Sequence, residues 1–298
     1  MSYPGETFTG KPAAFVIALI AFSTSVAGIY RHDVPEKKYL ALGKQKQFDC
    51  VGRMGASCVL ISDRYVLTAA HLFLEADTDT LDTMLNGKKV QIYTQSNYRV
   101  TDFSRLYATF NGRKVRVKRG IIHRSYLDSL ATGGSSCDIA LLELEQPVTL
   151  IKPAKLSSAF DELHSDVTGV GYGGSGRADR LESVQQRHKK IAGESVVDST
   201  GGQEFENQKT LLFCTFVAPG DTTATRTSRP LEYICTGGDS GGGLFRQTAN
   251  GWELIGICGG GGGGVDLQRL ISTRSYYGQK MSWVRVSAFT GWIAEQMK

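Results

Sequence analysis

Ser240 stands in the stretch TGGDSGGGLF (residues 236–245), where five of ten residues are glycine. Gly/Ser-rich runs are the usual material of flexible linkers. The flanks here are not linker-like: YIC precedes the run, and LFRQTANGWELIGI follows it as two apolar strands joined by an Ala249-Asn250-Gly251 turn. Glycines around one serine do serve chemistry, because backbone N–H groups can then point at a reacting atom with no Cβ in the way. A serine nucleophile needs a general base, and the chain has five histidines. His71 ends SDRYVLTAAH, where a strand runs into small residues and then presents an imidazole. Asp138 opens the apolar run DIALLELE. A carboxylate buried at a strand start is costly unless it is hydrogen-bonded, and an imidazole N–H is a suitable donor.

The elements that must position these groups read as short strands. SCVLI, RYVLTAA, KVQIYT, KVRVKRGII, DIALLELE, TLLFCTFV, WELIGI and MSWVRVS are rich in β-branched and aromatic residues and bounded by Gly, Asn, Asp and Ser. No helical pattern alternates with them, which argues for sandwiches or barrels and against a parallel βαβ sheet. One helix is expected near the C-terminus, in VSAFTGWIAEQMK, with Ser287 as cap and Phe289, Trp292, Ile293 and Met297 at helical spacing. The stretch EQPVTLIKPAKL (145–156), with two prolines, is read as the connection between two halves.

With 298 residues the chain can form one large domain or two small ones. The net charge of +5 is mild and spread out, so no nucleic-acid partner is implied, and Arg187 to Lys190 reads as a solvated surface turn. AAFVIALIAF (13–22) is too short to span a membrane comfortably, and with Lys11 before it and STSVAG after it has the layout of a secretory signal, cut after Ala27 or after Gly28. The other reading of this run is an N-terminal membrane anchor. Six cysteines (50, 58, 137, 214, 235 and 258) form no CxxC pair, and an even count in an exported chain points to disulfides. Glu75, Asp77, Asp79 and Asp82 could offer oxygen ligands, but their spacing reads better as a solvated turn than as a calcium loop.

LTAAH, DIALL and GGDSGG, in that order, together resemble the trypsin/chymotrypsin-like serine peptidases. IIHRSY (121–126), GYG (171–173), GWELIGI (251–257) and WVRVSAFTGWI (283–293) extend the resemblance over nearly the whole mature chain. It implies an all-β fold of two six-stranded antiparallel barrels packed face to face, with a C-terminal helix. The expected organisation is a signal peptide at 1–28 and one peptidase domain at 29–298. Its first barrel, 29–150, carries His71 and Asp138, and its second, 151–298, carries Ser240.

By the same resemblance Ser240 attacks the scissile carbonyl, His71 takes and returns the proton, and Asp138 holds the imidazole. The N–H groups of Gly238 and Ser240 form the oxyanion hole, and Asp239 pairs with a new N-terminal ammonium on Ile29 once the signal is cut off. Tyr233, Ile234, Gly259, Gly260 and Gly261 are expected to bind substrate. The implied function is secreted or periplasmic hydrolysis of peptide bonds by a monomer, with a polypeptide as substrate, no cofactor, no metal, and no stable membrane insertion after signal removal. A catalytically weak or inactive homologue that serves as a binding module is the alternative.

Departures from the family pattern carry consequences. Leu72 stands where the family has a bridged cysteine, so Cys50 and Cys58 are expected to close the neighbouring hairpin instead. One residue is inserted between Cys235 and Gly238. Gly259 replaces a serine that would bond the triad carboxylate, and Gly260 an aromatic wall; the rest of the hexaglycine run to Gly264 is read as a flexible lip. No acid stands at Tyr233 or Ile234, so apolar side chains are expected before the cleaved bond rather than Lys or Arg. Glu232 and Asp266 are the nearby acids that would reverse this.

Overall fold

The computed structural model describes residues 28–85, 88–130, 137–179, 189–262, 265–266, 271–272 and 276–298. Residues 1–27 of the expected signal peptide, Arg187 and His188 of the basic cluster, and Gly263 and Gly264 lie outside the described residues.

Six short strands close the first barrel. They are β2 (Val51–Met54), β3 (Ala56–Leu60), β4 (Tyr65–Thr68), β7 (Tyr107–Phe110), β8 (Arg113–Ile122) and β9 (Ala140–Leu144), in the closed order β2-β3-β4-β9-β8-β7. Every residue of β3 is buried, and β9 is buried but for Glu143, so these strands read as continuous apolar runs rather than alternating ones. Gly52 lets two strands meet closely, since a Cβ there would stand 2.5 Å from the Phe110 ring.

A long two-stranded ribbon, β5 (Leu74–Leu85) with β6 (Lys88–Val100), forms a separate sheet. It corrects the reading of 74–82 as a turn: cross-strand pairing, Leu81 with Ile92 and Thr80 with Tyr93, draws the acidic stretch into a strand. Asp77 is bonded by Asn97 and Arg99.

The strands of the second half are β10 (Lys155–Leu156), β11 (Asp166–Gly171), β13 (Ile191–Val196), β14 (Ser199–Phe205), β15 (Gln208–Thr215), β17 (Gly243–Thr248), β18 (Gly251–Gly262) and β21 (Lys280–Arg285). Their order is β13-β11-β17-β18-β21-β15-β14, with β10 added on β18. β13 also contacts β15, the next-to-last strand of that order, so the sheet curls back on itself. The result is an all-β double barrel in which residues 145–154 run from β9 to β10. β19 (Val265–Asp266) pairs with β20 (Ile271–Ser272), and Asp266 lies there. A three-stranded sheet, β12-β1-β16, joins β1 (Gly28–Tyr30) to β12 (Ser175–Arg177) and β16 (Tyr233–Ile234).

The α-helices among the described residues are α1 (Glu36–Gly43), α2 (Arg124–Ser129) and the C-terminal α3 (Thr290–Gln296), which follows a 3₁₀ turn at Val286–Phe289. No helix among the described residues is long and apolar enough to cross a membrane. Ser287 does not cap α3. Its hydroxyl donates instead to buried Glu162, which also takes a two-pronged ion pair from Arg285. The ring of His123, at the end of β8, meets Phe205, Phe289 and Trp292 edge-on and so seats the C-terminal segment on the first barrel. Burial pushes its pKa down to about 4, so the imidazole behaves as part of the core.

All six cysteines are buried and unbridged here, with the thiols of Cys235 and Cys258 within hydrogen-bonding reach of each other. For Cys50 and Cys58 the register gives the reason: Cys58 stands opposite Gly52, while Cys50 accepts from the N–H of Leu60, so the two are not facing partners.

Candidate active site

His71 lies in a single 3₁₀ turn, Ala70–Phe73, directly after β4. The small pair Ala69-Ala70 is fully buried, which lets the chain turn hard against the barrel end and present the imidazole. Asp138 lies just before β9, the strand paired with β4. Adjacent strands of one barrel thus bring base and acid together although 67 residues separate them.

Their geometry is a relay of short contacts. The His71 backbone N–H donates to Asp138 Oδ1 at 2.8 Å, and His71 Nδ1 lies 2.6 Å from Asp138 Oδ2. Nε2 lies 3.1 Å from Ser240 Oγ. A carboxylate only accepts, so Nδ1 carries the proton and Nε2 is left free to accept from the serine hydroxyl. Burial works against a charged imidazole here, but the hydrogen bond and the charge of Asp138 together outweigh it, and the His71 pKa is raised above 6.5. Asp138 is 3% exposed, while the His71 side chain is about a third open to solvent.

Ser240 comes from the other barrel, on the loop between β16 and β17. Gly238 and Gly241 there have φ of +94° and +81°, a region where a side chain is strained. A Cβ on Gly241 would also stand 2.1 Å from Thr68 Oγ1 and 2.2 Å from the Ser57 carbonyl. The glycines of this motif therefore do two things: they set the loop's backbone and let it lie flush on the first barrel.

Beneath the loop, Asp239 is almost fully buried. Its carboxylate accepts from the Tyr233 hydroxyl (2.7 Å), the Thr236 N–H (3.0 Å) and the Gly173 N–H (2.8 Å). Burial pushes its pKa up to about 6, and these three donors work in the opposite direction. Gly171 and Gly173 make room for it, since a Cβ on either would lie within 2.6 Å of the carboxyl group.

The structure brings His71, Asp138, Ser240, Gly238 and Asp239 into one region. Ile29 lies fully buried in β1, opposite Gly176 and Ile234. Tyr233 runs into the interior, against Gly169 and Gly193, and Ile234 is buried beside it in β16. Gly259 sits beside the relay: a Cβ there would be 3.5 Å from Asp138 Oδ2. Gly260 and Gly261 continue β18 and pair with Ser282 and Met281. Glu232 is fully buried, held by two nitrogens of Arg226 and by the Ser195 hydroxyl.

Ser57 is a site residue that the sequence does not announce. It lies in β3, in a run that reads only as an apolar strand, and nothing in that run marks its hydroxyl. In the fold it is fully buried against the Ser240 loop, with hydrogen bonds from both its N–H and its hydroxyl.

Comparison with known proteins agrees with this architecture. Neuropsin, a serine protease expressed in the limbic system of mouse brain, superposes with a TM-score of 0.52 at 19% sequence identity, over 90% of this chain and 99% of neuropsin. That likeness concerns the fold. The family model for trypsin matches residues 43–283, a span that takes in the His71 turn, the Asp138 strand and the Ser240 loop, and the chain belongs to the trypsin family.

Proposed function

We propose that the protein is a serine endopeptidase that cleaves polypeptides through an acyl-enzyme on Ser240. The observation that carries this reading is the unbroken run of contacts from Asp138 through His71 to Ser240 across the two barrels. His71 Nε2 accepts the proton as Ser240 Oγ attacks the carbonyl carbon, and the imidazolium that forms faces the Asp138 carboxylate. The proton then passes to the leaving amine, and water repeats the sequence on the acyl-enzyme. The N–H groups of Gly238 and Ser240 are the donors to the oxyanion, a role in which one donor is typically worth about 2.7–4 kcal/mol.

The substrate preference we propose is for apolar residues before the cleaved bond. Glu232, the nearer candidate acid, is fully buried and engaged by Arg226, so it offers no free carboxylate to a basic side chain. An ammonium or guanidinium buried without one is strongly disfavoured. A cleavage profile on a random peptide library tests both parts of the proposal. Cleavage after apolar residues, lost in Ser240→Ala, is the expected result; a preference for Lys or Arg would overturn the specificity, and undiminished cleavage by Ser240→Ala the mechanism.

We read export and activation as one event. Removal of the N-terminal segment up to Gly28 would free an ammonium on Ile29, which is already buried opposite Ile234. A cation beside Asp239 would offset the burial that raises that carboxyl's pKa and favour its charged form. Sequencing the N-terminus of the active protein decides this, and a fully active form beginning at Gly28 would contradict it.

A further inference from the structure

Both residues proposed to supply the oxyanion donors are held at their carbonyl oxygens by one residue of the opposite barrel. The Ser57 hydroxyl donates to the Gly238 carbonyl at 3.0 Å, and the Ser57 backbone N–H donates to the Ser240 carbonyl at 2.9 Å. The same hydroxyl accepts from the Tyr172 N–H at 2.8 Å. Ser57 is in turn fixed from behind, because its own carbonyl accepts from the Thr68 hydroxyl at 2.9 Å, three residues before His71.

In a peptide the N–H and the C=O of one residue are separated by a single Cα, so anchoring the carbonyl removes most of that residue's freedom in ψ. Gly238 needs such an anchor most. It has no side chain to limit it and sits at φ +94°, where glycine moves easily among alternatives. A hydroxyl that both donates to Gly238 and accepts from Tyr172 is saturated in the direction that holds the loop. Being fully buried, it has no water to turn to.

We propose that Ser57 is a positioning residue for the oxyanion hole: through Gly238 and Ser240 it fixes the direction of the two donor N–H groups. It touches no substrate. It acts by coupling β3 of the first barrel to the nucleophile loop of the second, so the donors are aimed before substrate arrives. This inference rests on the serine-peptidase reading above.

The test uses the full mature chain and three substitutions: Ser57→Ala, Ser57→Cys and Ser57→Thr. Wild type is assayed first with a peptide substrate. If it neither hydrolyses the peptide nor reacts with a fluorophosphonate, the peptidase reading fails, and this proposal with it. With an active wild type, Ser57→Ala is expected to lower kcat by about tenfold, the rate equivalent of one buried hydrogen bond, while KM stays within about twofold. The affinity for a peptidyl boronic acid, which places an oxygen in the hole, should fall by the same factor as kcat. Ser57→Thr keeps the hydroxyl and should recover most of both. Ser57→Cys, nearly isosteric with a weak donor, should behave like Ala, and it supplies the measurement if Ala fails to fold. Unchanged kcat in Ala or Cys, a loss confined to KM, or an equal loss in the Thr variant would each overturn the assignment.

Discussion

His71 is gripped twice by Asp138: its backbone N–H donates to Oδ1 at 2.8 Å, and its Nδ1 lies 2.6 Å from Oδ2. One carboxylate therefore fixes the position of the imidazole's backbone as well as the orientation of its ring. Both oxygens are used in the roles that only an acceptor can fill. Asp138→Asn would turn an amide donor toward one of these two donors and favour the wrong tautomer. A loss of about 10,000-fold in kcat is expected, as in comparable geometry.

The same contact fixes the direction of the pH dependence. The His71 pKa is raised above 6.5, and the base is active when neutral, so kcat/KM should climb with pH through a midpoint above 6.5. For stability the sign is opposite: the gain from the raised pKa is full below the unfolded-state value and is lost as pH rises through the folded one. In Asp138→Asn only burial remains to act on the imidazole, so the midpoint of the residual activity should move down. A pH–rate profile of both proteins checks this, and a midpoint that stays in place would mean that Asp138 does not govern His71.

Gly259 leaves Asp138 with an unused approach. A Cβ there would lie 3.5 Å from Asp138 Oδ2 and 3.3 Å from Val284 Cγ2, so a serine fits with a small shift of Val284. Gly259→Ser should add a hydrogen bond to the carboxylate and raise kcat by about threefold, within the range of one ordinary net hydrogen bond. Lowered kcat at unchanged stability would show that the site tolerates no further support there.

Gly241 is required twice over, by its φ of +81° and by the 2.1 Å approach of Thr68 Oγ1 to an added Cβ. Gly241→Ala should cost about 1–3 kcal/mol from the backbone alone, with the clash in addition. It should also abolish hydrolysis, because relief of the clash moves Ser240. Urea unfolding and a peptide assay on the same sample measure both, and a stable, active variant would contradict the close approach of loop and barrel.

The motif residues were legible because their chemistry restricts them. A serine among glycines, a histidine after a strand and an aspartate opening an apolar strand each needed a partner, and the fold supplies each to the other. What was illegible depended on partners remote in sequence. Ser57 in ASCVLI is an ordinary strand residue until Gly238 arrives 181 positions later. Ser287 has the form of a helix cap, but the buried pair Glu162–Arg285 competes for its hydroxyl and wins. The acidic stretch 74–82 is polar enough for a turn, and only its partner strand makes it extended. The cysteine count suggested pairing, which the strand register around Cys50 and Cys58 does not provide.

That buried pair carries a stability prediction well away from the site. Glu162 is fully buried and Arg285 nearly so. Glu162→Ala leaves the guanidinium without its counter-charge and should destabilise the fold by about 3–5 kcal/mol. Arg99→Ala, which breaks the solvent-exposed pair with Asp77, should leave the urea midpoint unchanged. Equal midpoints for the two variants would show that burial does not set the worth of these pairs.

A fluorophosphonate probe, read by intact mass and peptide mapping, reports whether Ser240 is a nucleophile activated by His71. One phosphonyl group per chain, located on Ser240, absent in Ser240→Ala and strongly slowed in His71→Ala, is the predicted result. Folded wild-type protein that takes up no label, or label that persists in Ser240→Ala, would contradict it.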